Sequence, residues 1–101
     1  GISNIKTDNN SIIPNEHLLY QNYPNPFNPS TTINFNIPKS GLVSLKIHDI
    51  LGREVAVLIN EELFAGNHSK TWVANNFCSG VYFYTLKTGS SFETRKMLLI
   101  K

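Results

Sequence analysis

Apolar residues recur at every second position along two stretches of the chain. Residues 33–37 and 43–47 each place Ile, Phe, Val or Leu at alternate positions, with Asn, Ser and Lys between them. This period of two is typical of a β-strand with one buried face. Turn signals at 38–41 and at 49–52, the second ending in Gly52, close the two stretches. The pattern therefore predicts two half-buried strands.

Strand-like stretches continue to the end of the sequence. We predict them at 53–59, at about 68–73, at 80–88 and at 92–100. The acidic stretch 60–67 lies between the first two and is compatible with one short helical turn at 60–64, and residues 88–91 resemble a hairpin turn. Six or seven strands spaced about every ten residues predict an antiparallel β-sandwich.

One local motif makes the prediction of the fold more specific. Residues 79–84 read Ser-Gly-Val-Tyr-Phe-Tyr, which is close to the tyrosine corner of immunoglobulin-like sandwiches. In such a corner a Tyr hydroxyl bonds to nearby backbone at the start of a late strand. The motif predicts that Tyr82 points inward with Tyr84 and Leu86, and that Trp72 is among the opposing residues. A Tyr pair in a strand also occurs for packing reasons alone, so the corner is one of two interpretations.

The start of the chain differs in composition from the rest. Residues 1–17 are rich in Asn and Ser, and their four Ile residues fit neither a strand nor a helix period. We interpret this stretch as a linker or flexible arm, and residues 18–101 as the sandwich domain.

A proline-dense segment lies between the arm and the first long strand. It comprises Pro24, Asn25, Pro26, Phe27, Asn28 and Pro29. Each proline lacks a backbone donor and restricts the preceding residue to extended geometry. The asparagines can form Asx turns, and Phe27 is the large apolar group that can anchor the segment. A polyproline ligand is the alternative, but we expect a structural entry to the domain.

Composition excludes several classes of function. The formal net charge is +2, which gives no electrostatic reason to expect nucleic acid as a partner. The single cysteine, Cys78, rules out an internal disulfide, and we expect it to be buried or half-buried. The longest apolar runs are four residues, far below the ~20 needed to cross a bilayer.

No residues in the sequence suggest catalysis. The chain contains no G-x-S-x-G elbow, no H-E-x-x-H and no phosphate-binding glycine-rich loop. We therefore predict no catalytic residue, no metal site, no cofactor and no small-molecule substrate. Trp72, Tyr20 and Tyr23 could instead form a sugar-stacking platform, as in a carbohydrate-binding module, although we expect them to serve in packing.

Five blocks of sequence, in order, resemble a known family. They are LYQNYPNPFNPSTTINF at 19–35, LKIHDILGREV at 45–55, GNH at 66–68 with Trp72, SGVYFYTL at 79–86 and KMLLIK at 96–101. Over about residues 18–101 the chain resembles the type A C-terminal sorting domain of the bacterial type IX (Por) secretion system. The final lysine stands where such proteins normally end.

The resemblance implies both a fold and a function. The fold would be an immunoglobulin-like sandwich related to the domain of flagellar hook-capping proteins. The domain would be the tail of a larger precursor that carries an upstream cargo. After export to the periplasm, the outer-membrane translocon would recognise it, and a sortase-like peptidase would in many cases remove it, leaving the cargo secreted or at the cell surface. The alternatives are a structural or adhesive immunoglobulin-like domain, or a carbohydrate-binding module, of a secreted multidomain protein.

The resemblance also implies where recognition occurs. The determinants that match the family motif would lie in the final hairpin, at Gly80, Tyr82, Leu86, Lys96, Leu98 and Lys101. We add Arg95 to this set as a basic side chain that can steer the domain. A last strand at a sheet edge can pair with a partner strand, and its basic side chains can steer the domain toward an acidic surface. The alternative is that these lysines only discourage edge aggregation. Deleting residues 96–101 should therefore retain an exported cargo in the periplasm.

Overall fold

The computed structural model describes residues 18–89 and 91–101, and the predicted arm at 1–17 lies outside them. The strands are β1 (Leu18–Leu19), β2 (Ser30–Ile37), β3 (Gly41–His48), β4 (Glu54–Leu63), β5 (Gly66–Val73), β6 (Gly80–Thr88) and β7 (Ser91–Leu99). No helix occurs in the described part of the chain. The structure confirms the predicted all-β, immunoglobulin-like sandwich.

The strands form two antiparallel sheets. One has the order β1-β2-β5 and the other β4-β3-β6-β7, so β7 lies at an edge as predicted. Arg95 of β7 donates from Nε to the carbonyl oxygen of Leu19 in β1 at 2.6 Å, which joins the two sheets along one side. On the opposite side, β4 passes directly into β5 through residues 64 and 65.

The two ends of the sandwich differ in what they contain. We call one end basal; it holds the segment 20–29, the turn 49–53, the loop 74–79 and residues 100–101. The other, apical end holds the turns at 38–40 and 64–65 and the β6–β7 turn. Leu18 pairs with Asn36 near the end of β2, so the chain enters the sandwich at the apical end.

The core follows the alternation read from the sequence. Its large, fully buried side chains include Ile33, Phe35, Ile37, Val43, Leu45, Ile47, Tyr84, Leu86, Met97 and Leu99. Alternate residues of a strand point to opposite faces, and only one face of each sheet meets the other sheet. Burial of each such side chain contributes about 1.5–3 kcal/mol, which makes this layer the main source of stability.

β4 departs from the prediction. It extends to Leu63, and the short helical turn that the sequence allowed at 60–64 does not form, because Glu61 and Glu62 pair with Val43 and Leu42 of β3. Acidic residues disfavour strands locally, but an exposed edge strand tolerates them because pairing with a neighbour decides the conformation. Two register shifts between β3 and β4 add bulges to this edge.

Other local predictions have mixed outcomes. The β6–β7 hairpin forms as expected, with Thr88 opposite Ser91. Cys78, expected to be at least half-buried, is exposed because it lies in the loop before β6. Among the described residues there is no helix long and apolar enough to cross a membrane.

Candidate functional site

The proline-dense segment lies against the outer edge of β7. Phe27 donates its amide to the carbonyl of Leu98 at 3.0 Å, and Ile100 donates to the carbonyl of Phe27 at 2.9 Å. The Asn25 side-chain oxygen accepts from the Leu98 amide at 3.0 Å. Phe27 and Leu99 thereby form a parallel bridge. The segment acts as a short additional strand that covers the C-terminal half of the β7 edge.

Asn22 connects this segment to the core, a role that the sequence did not reveal. The residue is buried, and its side-chain nitrogen donates to the Pro24 carbonyl at 3.2 Å and to the Thr31 hydroxyl at 2.9 Å. Its backbone amide donates to the Tyr84 hydroxyl at 2.8 Å, and that hydroxyl donates to the Tyr20 carbonyl at 2.7 Å. The available signal was an Asn two residues before Pro24, since Asn side chains often bond neighbouring backbone.

The Tyr84 hydroxyl is sensitive to high pH only. Burial, the largest cause, raises the pKa of Tyr84 above its usual value of 10.0. A group with a raised native pKa stabilises the fold below its unfolded pKa and loses that contribution as pH rises through the native pKa. The bond to Tyr20 is therefore retained throughout the physiological range.

An aromatic cluster fills the basal end of the core. The rings of Phe27 and Trp72 lie 5.9 Å apart, and those of Trp72 and Tyr82 lie 5.6 Å apart. The Tyr82 hydroxyl donates to the Cys78 carbonyl at 2.7 Å, which confirms the predicted tyrosine corner. Trp72 is only 4% exposed. A sugar platform built on Trp72 is therefore wrong, and core packing is confirmed for this residue.

Lys101 holds the loop before β6. Its ammonium donates to the carbonyls of Asn75 at 2.6 Å and Phe77 at 2.8 Å, and its amide donates to the Ser79 hydroxyl at 3.0 Å. Gly80 begins β6 with φ at +150°, a conformation that L side chains rarely adopt, although a Cβ there would meet no atom within 4 Å. Glycine is therefore required by the backbone and not by crowding.

A family model described as secretion system C-terminal sorting domain matches residues 21–101. The chain belongs to this family of type IX sorting domains. The match spans the proline-dense segment and the final strand, so it covers the whole unit that the preceding contacts hold together. No curated protein matches the chain.

Membership has direct consequences for the biology of this sorting domain. A sorting domain implies an upstream cargo in the same precursor, involvement with the type IX machinery, and export out of the cell toward the surface or the medium. The family is one of sorting signals and not of enzymes. Within the described residues, no three His, Cys, Asp or Glu side chains are grouped to hold a metal ion.

The residues predicted for recognition occupy different environments in the sorting domain. Tyr82 and Leu86 are buried. Arg95 is half-buried, bonds Leu19 and lies 3.6 Å from Glu93. Of the three predicted recognition residues in β7, only Lys96 and Leu98 point to the outer face, and both are exposed there.

A hydrogen-bonded turn at the basal end exposes two large apolar side chains of the sorting domain. Asp49 Oδ1 accepts from the amides of Leu51 and Arg53, each at 2.9 Å, and Oδ2 pairs with Arg53 Nε at 2.8 Å. Gly52 adopts φ +84°, which explains why glycine closes this turn. Ile50 and Leu51 are 70% and 73% exposed. The sequence predicted the turn but not this display of apolar surface.

We expect Asp49→Ala to lower the melting temperature of the sorting domain at pH 7. Hydrogen bonds from the Arg53 backbone, the largest lowering cause, hold the pKa of Asp49 below its usual 3.8. The carboxylate therefore stabilises the fold fully above its unfolded pKa, and this contribution disappears as pH falls through the lower native pKa. Thermal melts of both proteins from pH 7 to pH 2 should show the difference shrinking below pH 4. A difference that does not shrink between pH 4 and pH 2 would contradict this account.

Two open clefts mark the surface of the sorting domain. The larger, about 690 Å³, lies near the apical end beside Lys39, Lys46 and Lys87, and none of the described residues that line it is aromatic. The smaller, about 350 Å³, includes Tyr20 and His68. Sugar sites depend on stacking against aromatic faces, so the larger cleft does not favour carbohydrate binding.

Proposed function

We propose that the outer-membrane translocon of the type IX system recognises residues 18–101 as a folded surface. The domain reaches the translocon through the periplasm, and a sortase-like peptidase separates it from the cargo. The observation that carries this proposal is the match over residues 21–101, because it spans one continuously bonded unit. The domain has no catalytic activity of its own, needs no cofactor and binds neither nucleic acid nor a small substrate.

Within the final hairpin, we propose that the seven predicted residues divide by role. Lys96 and Leu98 contact the machinery directly, because both are exposed on the outer face of β7. Gly80, Tyr82, Leu86, Arg95 and Lys101 support that surface through backbone conformation, burial or hydrogen bonds. This division explains how one motif can contain residues that a partner never touches.

The experiment is a fusion of residues 1–101 to a reporter that is exported to the periplasm of a type IX-competent bacterium. We expect the reporter outside the cell. Deletion of residues 96–101 is a poor test, since it removes the buried Met97 and Leu99 and would unfold the sandwich. Point variants that leave the core intact are required.

We predict that Lys96→Glu lowers the secreted reporter about tenfold. The new carboxylate would face the acidic surface of the partner, and placing like charges opposite one another costs at least ~1.4 kcal/mol of binding free energy. The matched control is Lys39→Glu, the same charge change at an exposed apical turn. Both variants should melt close to the parent domain. Equal secretion of the two variants would remove Lys96 from the contact surface. A parent fusion that stays in the periplasm would overturn the sorting function itself and leave a structural or adhesive role.

A further inference from the structure

The outer edge of β7 is only partly occupied. The amide and carbonyl of Leu98 both face away from β6, since they bond Asn25 and Phe27. Alternate residues of an antiparallel strand direct their main-chain groups to the same side. Lys96, Thr94 and Phe92 therefore also direct their amides and carbonyls outward. The Gln21 side chain donates to the Lys96 carbonyl at 2.8 Å and marks the limit of the covered half.

We call the other half of this edge open, because no segment within residues 18–89 and 91–101 pairs with it. In the described ranges, no hydrogen-bond partner faces the outward main-chain groups of Thr94 and Phe92. Both residues are exposed, and Phe92 is 70% exposed. The Thr94 hydroxyl bonds to that of Thr85 on the sheet face at 2.8 Å and leaves the main chain uncovered.

This open edge lacks a common form of edge protection. The other edge strand of the same sheet, β4, is interrupted by two register shifts, which twist an edge away from pairing. The β6–β7 register, in contrast, runs without a shift from Gly80 opposite Leu99 to Thr88 opposite Ser91. A regular edge with unpaired donors and acceptors is a template for one more strand.

We propose that residues 92–96 are the docking site for one extended segment of the outer-membrane export machinery, which pairs with β7 through its main chain. The proposal rests on the sorting function. The domain already contains an example of this pairing, because the main chain of its own Phe27 bonds to the neighbouring half of the same edge. The incoming strand continues that arrangement toward the apical end.

The side chains beside this edge define the chemistry of the partner. The outward face of β6 and β7 presents Lys87, Phe92 and Lys96 near the open half, and Glu93 alternates to the opposite face. Alternate side chains of an added strand lie over the same face and supply selectivity. The partner segment therefore carries an acidic residue next to Lys96 and an apolar residue next to Phe92.

Proline scanning tests the main-chain contact directly. Thr94→Pro removes an amide that faces outward, and proline is tolerated at such edge positions. Thr94→Ala is the matched control, since it removes the hydroxyl and keeps the amide. In the reporter fusion we expect Thr94→Pro to lower secretion about tenfold or more relative to Thr94→Ala, with similar melting temperatures. Phe92→Pro against Phe92→Ala repeats the comparison at a second outward amide.

The outcomes separate this proposal from the sorting function. If the parent fusion is secreted and the folded proline variants are secreted equally well, docking at this edge is wrong while sorting stands. If the parent fusion is not secreted, the proposed sorting function is wrong, and the docking proposal that rests on it falls as well. Sedimentation of the purified chain should give a monomer for the parent and for Thr94→Pro. If the parent is a dimer and Thr94→Pro is a monomer, the edge binds a second copy of this chain, and the proposal is overturned.

A photocross-linker gives an answer even if both proline variants unfold. We would place p-benzoylphenylalanine at Phe92 and, as a control, at Phe64, which is 84% exposed in the β4–β5 turn. During export of the fusion, position 92 should cross-link to a protein of the outer-membrane machinery and position 64 should not. Equal cross-linking at both positions, or none at position 92, would overturn the proposal.

Discussion

Phe27→Ala should reduce the free energy of unfolding by about 3–5 kcal/mol, the usual loss when a buried Phe is truncated. Phe27 is 2% exposed, and its ring packs on Trp72 in the basal aromatic cluster. Truncation leaves a cavity there and loosens the segment that covers β7. The total free energy of unfolding of a domain of this size is about 5–15 kcal/mol, so this loss is a large fraction of its stability. Thermal unfolding should show a drop of at least roughly 12 °C.

Tyr23→Ala is the matched control for Phe27. Tyr23 directly precedes the proline-dense segment, but its side chain is 78% exposed. Substitution of such surface residues usually changes stability by no more than about 0.5 kcal/mol. If Phe27→Ala melts like Tyr23→Ala, the segment does not anchor the domain and its interpretation as a polyproline ligand returns.

Tyr84→Phe should lower the free energy of unfolding by about 1–3 kcal/mol, which is the penalty for leaving buried polar groups without hydrogen-bond partners. One hydroxyl serves two backbone groups, the amide of Asn22 and the carbonyl of Tyr20. The substitution keeps the ring, so the loss reports the hydrogen bonds and not the packing. Denaturant unfolding measures it, with the exposed Tyr23→Phe as control. A loss below about 0.5 kcal/mol would mean that water replaces the hydroxyl.

The sequence correctly predicted the strands that bury only one of their two faces. Ile33, Phe35 and Leu45 stand at every second position, and the sandwich buries one face of their strands. The extension of β4 through Glu61 and Glu62 was missed because cross-strand pairing, not local propensity, determines that edge.

The candidate site was harder to predict than the fold. Motif resemblance placed the exposed Lys96 and the buried Leu86 in one predicted recognition set, and only the predicted inward direction of Leu86 distinguished the two. The contact of Asn25 with Leu98 joins residues 73 positions apart. No periodicity encodes a pairing at that separation, because it depends on how the two sheets are stacked. The half-open edge therefore emerged only from the three-dimensional arrangement.

The entry of the chain at the apical end has a mechanical consequence for cargo delivery. Whatever path residues 1–17 take, they join the sandwich at Leu18, and Arg95 bonds the next residue, Leu19, from the middle of β7. Under the proposed sorting function, the chain that leads from the cargo therefore joins the domain beside the open half of the β7 edge. If the export machinery binds that edge, as proposed, the upstream chain lies within its reach, so binding of a precursor and its proposed cleavage need no long movement of the chain between two sites.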